Sequence, residues 1–410
     1  MNIFRHIRRW FSGLFRVWKR EVYLVFTDPG VMLFFFALPL AYPIVYTLIY
    51  NPELVNDISI AVVDRCGTAR SREFVRMVNA TPAMNVTARA SNLDEARRMM
   101  NDHDVFAILE IPADFDRRIG RGEQAVVPFY ADMSLLLRYR SELSALTDLQ
   151  MAYGAKVQAQ TINGIGLPAQ PLGDDASPVK NESVFLGDVS QGFASFVIPG
   201  IIILILHQSL ILGVTMLAGG SAERRRRNNG FDPMMVDAPV GATIAGKLCC
   251  YLMCYIPMMF YIMAFVPEMF SLPHVGDIFT YMIYITPMLI GAALLGICLS
   301  TLVSERETSL LVIVFTSVVF LFLSGLTWPR YAFSPFWKVI SDLVPATWGV
   351  EGFIRLNANH ATIAQQSTPY LAMWALAVGY FVIAYMILRY RRARNRRLSV
   401  SCEKTVCVRP

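Results

Sequence analysis

The sequence predicts an α-helical polytopic membrane protein: six transmembrane helices, with an extracytoplasmic α/β domain inserted between the first and second. Three observations predict it. Six apolar runs are each long enough to cross a bilayer core as a helix. A polar and charged stretch, residues 51–190, separates the first run from the other five. The densest basic clusters sit beside the runs, where such residues orient a chain in a membrane.

Composition agrees. Of 410 residues 55% are hydrophobic, and the mean hydropathy is +0.43, well above that of ordinary soluble proteins. The net charge of +6 raises nucleic acid as a partner, but the basic clusters flank the spans, so the charge reads as a topology signal and no nucleic acid is expected. Cys66 is the one cysteine outside the spans and tails. Cys249, Cys250, Cys254 and Cys298 lie in apolar runs, and Cys402 and Cys407 in the basic tail. No pair reads as a disulfide or a zinc site.

Residues 1–30 form an amphipathic lead-in. Ile3, Phe4, Ile7, Trp10, Phe11, Leu14, Phe15 and Trp18 recur at helical spacing, and Arg5, Arg8, Arg9, Arg16, Lys19 and Arg20 fill the other face. Aromatic on one side and cationic on the other suits a helix lying in the membrane interface. A signal peptide is the competing reading, weakened because the apolar run starts only at Val31 and no small-x-small cleavage site follows. The first span, residues 31–50, is interrupted by Pro39 and Pro43.

Residues 51–190 alternate short apolar strands with helical segments, the pattern of a small α/β domain. Strands are expected over Ile58–Val63, Met84–Ala88, Val105–Ile111 and Ala125–Tyr130. Helices are expected over Ser71–Val78, from an Asn92 cap to Met100, over Asp114–Ile119 and from Leu135 to about Gln160. Asp102-His103-Asp104 reads as a surface turn rather than a metal site. Gly164, Gly166, Pro168, Pro171, Gly173 and Pro178 mark a loose return to the membrane.

Within 191–390, five spans follow: Gly192–Ala218, Ile244–Val266, Ile278–Val303, Leu310–Leu326 and Pro369–Tyr390. The second span breaks at Gly219-Gly220 into a loop, 218–247, that carries Glu223 and four arginines, Arg224 to Arg227, and closes at Gly246-Lys247. Arg391, Arg392, Arg394, Arg396 and Arg397 stop the sixth span, and 391–410 form a basic tail. Lys and Arg number six in 1–30, five in 218–247, one in 304–307 and eight in 389–410, against none in 267–277 and three in 327–368. Both termini and the loop 218–247 are therefore expected in the cytoplasm.

A family resemblance emerges from the residues in order. Arg20-Glu21 and Asp28-Pro29 precede the first span. Val62-Val63-Asp64 and the run Phe106 to Phe115 sit in the inserted domain. Glu223-Arg224, Pro239 and Gly246-Lys247 lie in the basic loop. Ser324-Gly325, Trp328-Pro329, Pro335, Pro345, Gly352 and Arg355 lie in the outer segment. Together these resemble a type-2 ABC exporter permease with a large extracytoplasmic domain. One departure is the run Arg226 to Gly230, where the family usually has a Gly-Thr.

The resemblance implies a membrane subunit of the bacterial inner membrane. It would pair with a second permease, identical or a paralogue, and dock two separate ATPase subunits. A periplasmic adaptor is a further partner it allows. ATP and magnesium would be bound by the partner ATPase, and no cofactor or catalytic group is expected here. Gly241 to Lys247 falls one residue short of a phosphate loop, because Leu248 stands where a magnesium-binding Ser or Thr is needed.

Site residues follow on the same footing. Glu223, Arg224 and Arg225, with Glu305 of the short turn 304–307, are candidates for coupling to the ATPase; a solvated topology signal is the plainer reading. His207 and Gln208, in the middle of span two, either hydrogen-bond between helices or line a translocation path. Ser324, Gly325, Trp328 and Pro329 open the segment 327–369, read both as an interfacial aromatic belt and as a re-entrant hairpin forming an outer gate. A membrane-anchored receptor acting through 51–190 is the alternative function.

Overall fold

The computed structural model describes residues 2–50, 55–164, 192–228, 230, 232–272, 274 and 276–406, with backbone alone at 2–3, 162–164 and 394–406. The chain is mostly helical, 73%, and divides into two compact units: Met1–Asn51 with Phe185–Pro410, and Pro52–Val184. The return segment expected after Gly164 and the tail beyond Val406, with Cys407, lie outside the described residues.

Helix α1, Asn2–Thr27, keeps Phe4, Ile7, Phe11 and Phe15 exposed along one side and buries Val17, Glu21, Leu24 and Val25. The first candidate span is α2, Pro29–Tyr50. Asp28 starts it by accepting the Gly30 and Val31 N–H groups at 3.2 and 3.4 Å, which satisfies donors that a helix start otherwise leaves unpaired. The prolines expected to interrupt this span do not. A π-helical turn over Leu33–Ala37 precedes Pro39, loosening the turn where the proline ring would strike a carbonyl. The buried residues of α2 are Val31, Phe35, Pro39, Pro43 and Thr47.

The second unit is built on β1 (Ile58–Asp64), α3 (Ala69–Asn79), β2 (Met84–Arg89), α4 (Leu93–Asn101), β3 (Ala107–Ile111), α5 (Phe115–Gly120), β4 (Phe129–Ala131) and α6 (Leu136–Gly164). The strand order is β2-β1-β3-β4, with β1 parallel to both neighbours and β4 antiparallel to β3. Alternation decides the two faces. Ile60 and Val62 point to one core with Phe74, Phe115, Leu146 and Tyr153; Ala61 and Val63 point to the other with Ala96 and Val105. Asn92 caps α4 through the Glu95 N–H at 2.8 Å, and Glu95 returns a bond to the Ser91 N–H. The fourth strand is shorter than expected, starting at Phe129 rather than Ala125, because Pro128 has no N–H to give a ladder.

The remaining helices are α7 (Phe193–Arg227), α8 (Val240–Met269, with a π turn at Tyr261–Phe265), α9 (Ile278–Leu299), α10 (Arg306–Leu323), α11 (Pro335–Asp342), α12 (Pro345–Asn359) and α13 (Ser367–Val406). Among the described residues, six helices are long and apolar enough to cross a membrane: α2, α7, α8, α9, α10 and the Ser367–Ala393 part of α13. Helix α7 is central: 83% of its apolar window is buried, against 17% in α10 and in α13. It packs on α2, α9, α10 and α12.

Two expectations are corrected here. Helix α7 does not break at Gly219-Gly220 but runs on to Arg227, and α8 already starts at Val240, so the described non-helical residues of the expected loop 218–247 are 228, 230 and 232–239. A Cβ at Gly219 would lie 2.9 Å from the backbone of Glu305 and Arg306. These glycines permit a close approach of two chain segments and do not end a helix. Likewise the arginines after Tyr390 do not stop α13, which continues to Val406; arginine is a good helix former. The segment 327–369, expected on the outer side, holds a helix pair, α11 and α12.

Glu142 of α6 is fully buried, and neither carboxyl oxygen has a hydrogen-bond partner among the described residues. Burial pushes its carboxyl up to about 7, with Arg138 pulling down and Asp132 pushing further up. Such an acid stabilises the fold fully below its unfolded value of about 4.5, and that contribution is lost as pH rises through about 7. Residues 52–184 expressed alone are expected to fold with mixed α/β circular dichroism. Their chemical-denaturation stability should fall across that window by on the order of 2 kcal/mol after allowing for screening. Glu142→Gln should flatten the profile and raise stability at neutral pH; an unchanged profile would remove Glu142 as its cause.

Candidate functional site

The arginine-rich ends of the spans converge on a lattice of paired charges. Glu21 of α1, 1% exposed, receives Lys247 Nζ of α8 at 2.8 Å, Arg20 Nη1 at 3.4 Å and the Tyr251 hydroxyl at 3.3 Å. Arg20 reaches across to Asp232 at 3.3 Å. Asp232, also 1% exposed, takes Arg224 Nε at 3.1 Å, the Met234 N–H at 3.0 Å and the Ser221 hydroxyl. Arg306, at the start of α10, pairs with Asp28 at 2.9 Å and Glu223 at 3.4 Å. Glu223 also accepts the Arg306 backbone N–H at 2.9 Å, closing the open N-terminus of α10 from α7. Arg226 pairs with Glu305.

Burial works against these carboxylates and the cations win. Burial would lift the Glu21 carboxyl, but the charges of Lys247 and Arg20, with the bonds from Lys247 and Tyr251, hold it below the usual range. Asp232 likewise sits low, because the bonds from Ser221, Arg224 and Met234 outweigh its burial. Each acid therefore stays ionised and matched by a cation, which a buried charge requires.

The structure thus joins residues that the sequence shows as separate signatures: Arg20-Glu21, Asp28, Glu223-Arg224 and Lys247. The coupling candidates do not all face outward. Glu223 and Arg224 are partnered inside the chain, Glu305 holds Arg226, and Arg225 lies near the Met235 sulfur at 3.7 Å. Gly246-Lys247 is not a helix start. It lies well inside α8, where Gly246 lets the Leu14 carbonyl of α1 approach to 2.7 Å from a would-be Cβ. Sequence reasoning misses Asp232, Tyr251 and Arg306. Asp232 shares the basic loop with Asp237, and nothing local in the sequence sets it apart.

In mid-span, His207 is fully buried with its ring edge-on to Phe320 of α10, centroids 5.6 Å apart. Neither ring nitrogen has a hydrogen-bond partner among the described residues. Gln208 donates to the Ser317 carbonyl at 3.2 Å, and Ser209 receives the Tyr255 hydroxyl at 2.9 Å. Both His207 and Gln208 thus meet α10.

At the other end of α10, the gate candidates shape one turn. The Ser324 hydroxyl donates to the Leu321 carbonyl at 2.7 Å and accepts the Leu326 N–H at 3.2 Å. Gly325 has φ +85°, a conformation that favours glycine. Trp328 is exposed, and Pro329 leads into a short 3-10 turn, Arg330–Ala332. Arg330 is the unforeseen hub: it pairs with Asp342 and Glu351 and lies over the Trp348 ring at 4.1 Å.

The lattice yields a stability test. Glu21→Met leaves Lys247 half-buried without its carboxylate partner and is expected to cost about 3–5 kcal/mol. Glu21→Met with Lys247→Met should recover most of that, because an apolar pair replaces a charged one without leaving an orphan. Thermal unfolding of the purified protein in detergent reads both. A double variant no more stable than the single one would show that the pair is not coupled.

A family model described as ABC-2 family transporter protein matches residues 29–386. No curated protein matches the chain. The matched stretch runs from the first candidate span into the sixth and takes in the α/β unit between them. A match over that much of the sequence settles membership: the chain belongs to the ABC-2 transporter family, as a permease, the membrane component of such a system.

Proposed function

We propose that this permease is the membrane subunit of an ATP-driven exporter, that two permease chains enclose the path, and that a separate ABC ATPase docks on the turn 300–305 and the connection 228–239. The family implies an ABC ATPase partner in general terms; the ATPase binds ATP and magnesium. The distribution of Lys and Arg supports a cytoplasmic location for these segments and both termini and an extracytoplasmic location for the α/β unit; the resemblance to bacterial exporter permeases suggests the bacterial inner membrane as the setting. His207 and Gln208 are the path candidates. The turn Ser324 to Pro329 with the α11–α12 pair is the outer gate, and the α/β unit is where a periplasmic adaptor would bind.

The observation that carries the reading is the position of Arg306. The residue that follows the exposed turn is clamped to Asp28 at the head of α2 and to Glu223 near the end of α7. A displacement of the turn by a docked ATPase would be passed to two spans at once. The turn offers a contact, because Leu302 is 67% exposed, three residues before Glu305, which Arg226 pairs with.

Leu302→Asp should abolish co-purification of the ATPase, and its stimulated hydrolysis, while membrane insertion and thermal stability stay at wild-type levels. Truncating an exposed apolar anchor in an interface costs about 2 kcal/mol or more, enough to lose a complex on washing. Unimpaired co-purification and export would remove the turn from the docking surface. A wild-type protein that never associates with an ATPase would favour the receptor role for the α/β unit.

A further inference from the structure

Inside the lattice lies a cavity of about 680 Å³, within the size range of small-ligand sites, roughly 300–1,000 Å³. Its walls are the basic ends of α7 and α13, the starts of α1's buried stretch and α8, and the end of α9. The apolar part of the wall is Leu24, Val214, Leu217, Ile297 and Leu388, which continue into the span interior. The charged part is unbalanced. Arg20 and Lys247 are matched by Glu21 and Asp232, Arg226 by Glu305, and Arg392 by Asp237. Arg225 and Arg391, which also line the cavity, have no carboxylate partner among the described residues. Both are half-buried, and each bears on the other with like charge.

Two guanidiniums without a carboxylate facing one cavity repel each other, and among the described residues the one acceptor for their planar donor forks is the weakly accepting Met235 sulfur, 3.7 Å from Arg225. A phosphate diester supplies both the charge and the bidentate oxygens. The adjoining apolar wall gives acyl chains a dry surface, and the cavity lies at the ends of membrane spans, where basic pockets between helices meet lipid head groups. We propose that this cavity holds one anionic phospholipid, its phosphate between Arg225 and Arg391 and its chains against Leu217, Ile297 and Leu388. The proposal rests on the chain spanning a bilayer and is independent of ATPase docking, so failure to find an ATPase leaves it standing.

The test is lipid retention by the full-length protein, purified from mixed micelles holding equal amounts of phosphatidylglycerol and phosphatidylcholine and weighed by native mass spectrometry. The wild type should retain phosphatidylglycerol over phosphatidylcholine by about tenfold or more. Arg225→Gln with Arg391→Gln should abolish that preference, and Arg225→Lys with Arg391→Lys should keep most of it. Arg227→Gln, outside the cavity wall, should leave it unchanged. Each variant is compared at a wild-type elution position and thermal midpoint. Equal retention of the two lipids, or full preference in the glutamine double variant, overturns the proposal. Displacement of phosphatidylglycerol by soluble glycerol phosphate also overturns it, since the site would then take a free anion without needing chains.

Discussion

A charge withdrawn from water must meet its opposite, and the membrane unit is arranged around that constraint. Glu21 and Asp232 are almost completely enclosed, yet each is ionised because cations from other helices converge on it. Such a lattice adds little net stability, since desolvation offsets most of the attraction. Its effect is on register. Lys247 can satisfy Glu21 only if α8 lies at one height along α1, and Arg306 can satisfy Asp28 and Glu223 only if α10 starts where both can reach it. Apolar packing tolerates sliding far more readily than paired charges do.

Helix α10 shows what this arrangement permits. Little of it is buried within the chain, so packing alone holds it weakly. Its two ends are each secured by an arginine between two carboxylates: Arg306 with Asp28 and Glu223 before the span, and Arg330 with Asp342 and Glu351 just after it. Between those clamps the helix offers Leu311, Val314, Phe315, Val318 and Phe322 outward while Phe320 meets His207.

Much of this was readable in the amino-acid pattern. The alternation of Ile60 and Val62 with Ala61 and Val63 places a strand with two buried faces, and Asn92 announces its helix by local chemistry that needs no tertiary context. The six apolar runs are long enough that their identity does not depend on where each one ends. The misreadings share a cause. Gly219-Gly220 has the local signature of a helix stop, but the chain uses its missing Cβ atoms to bring Glu305 and Arg306 close, a contact made across more than eighty positions. The roles of Asp232 and Arg306 are invisible for the same reason. A single charged residue in a loop looks alike whether its partner is solvent or a guanidinium two hundred residues away.

The first span carries its own arithmetic. Its buried residues fall at every fourth position from Val31 to Thr47. In a regular α-helix each step of four overshoots a full turn by about 40°, so four steps would carry the seam about 160° around the axis. The π turn at Leu33–Ala37 takes up one residue, about 100° of that drift. The remainder, about 60°, fits within the width of one packed stripe. The span is thereby a ruler marked in fours, its marks kept in line by a single inserted residue placed just ahead of its prolines.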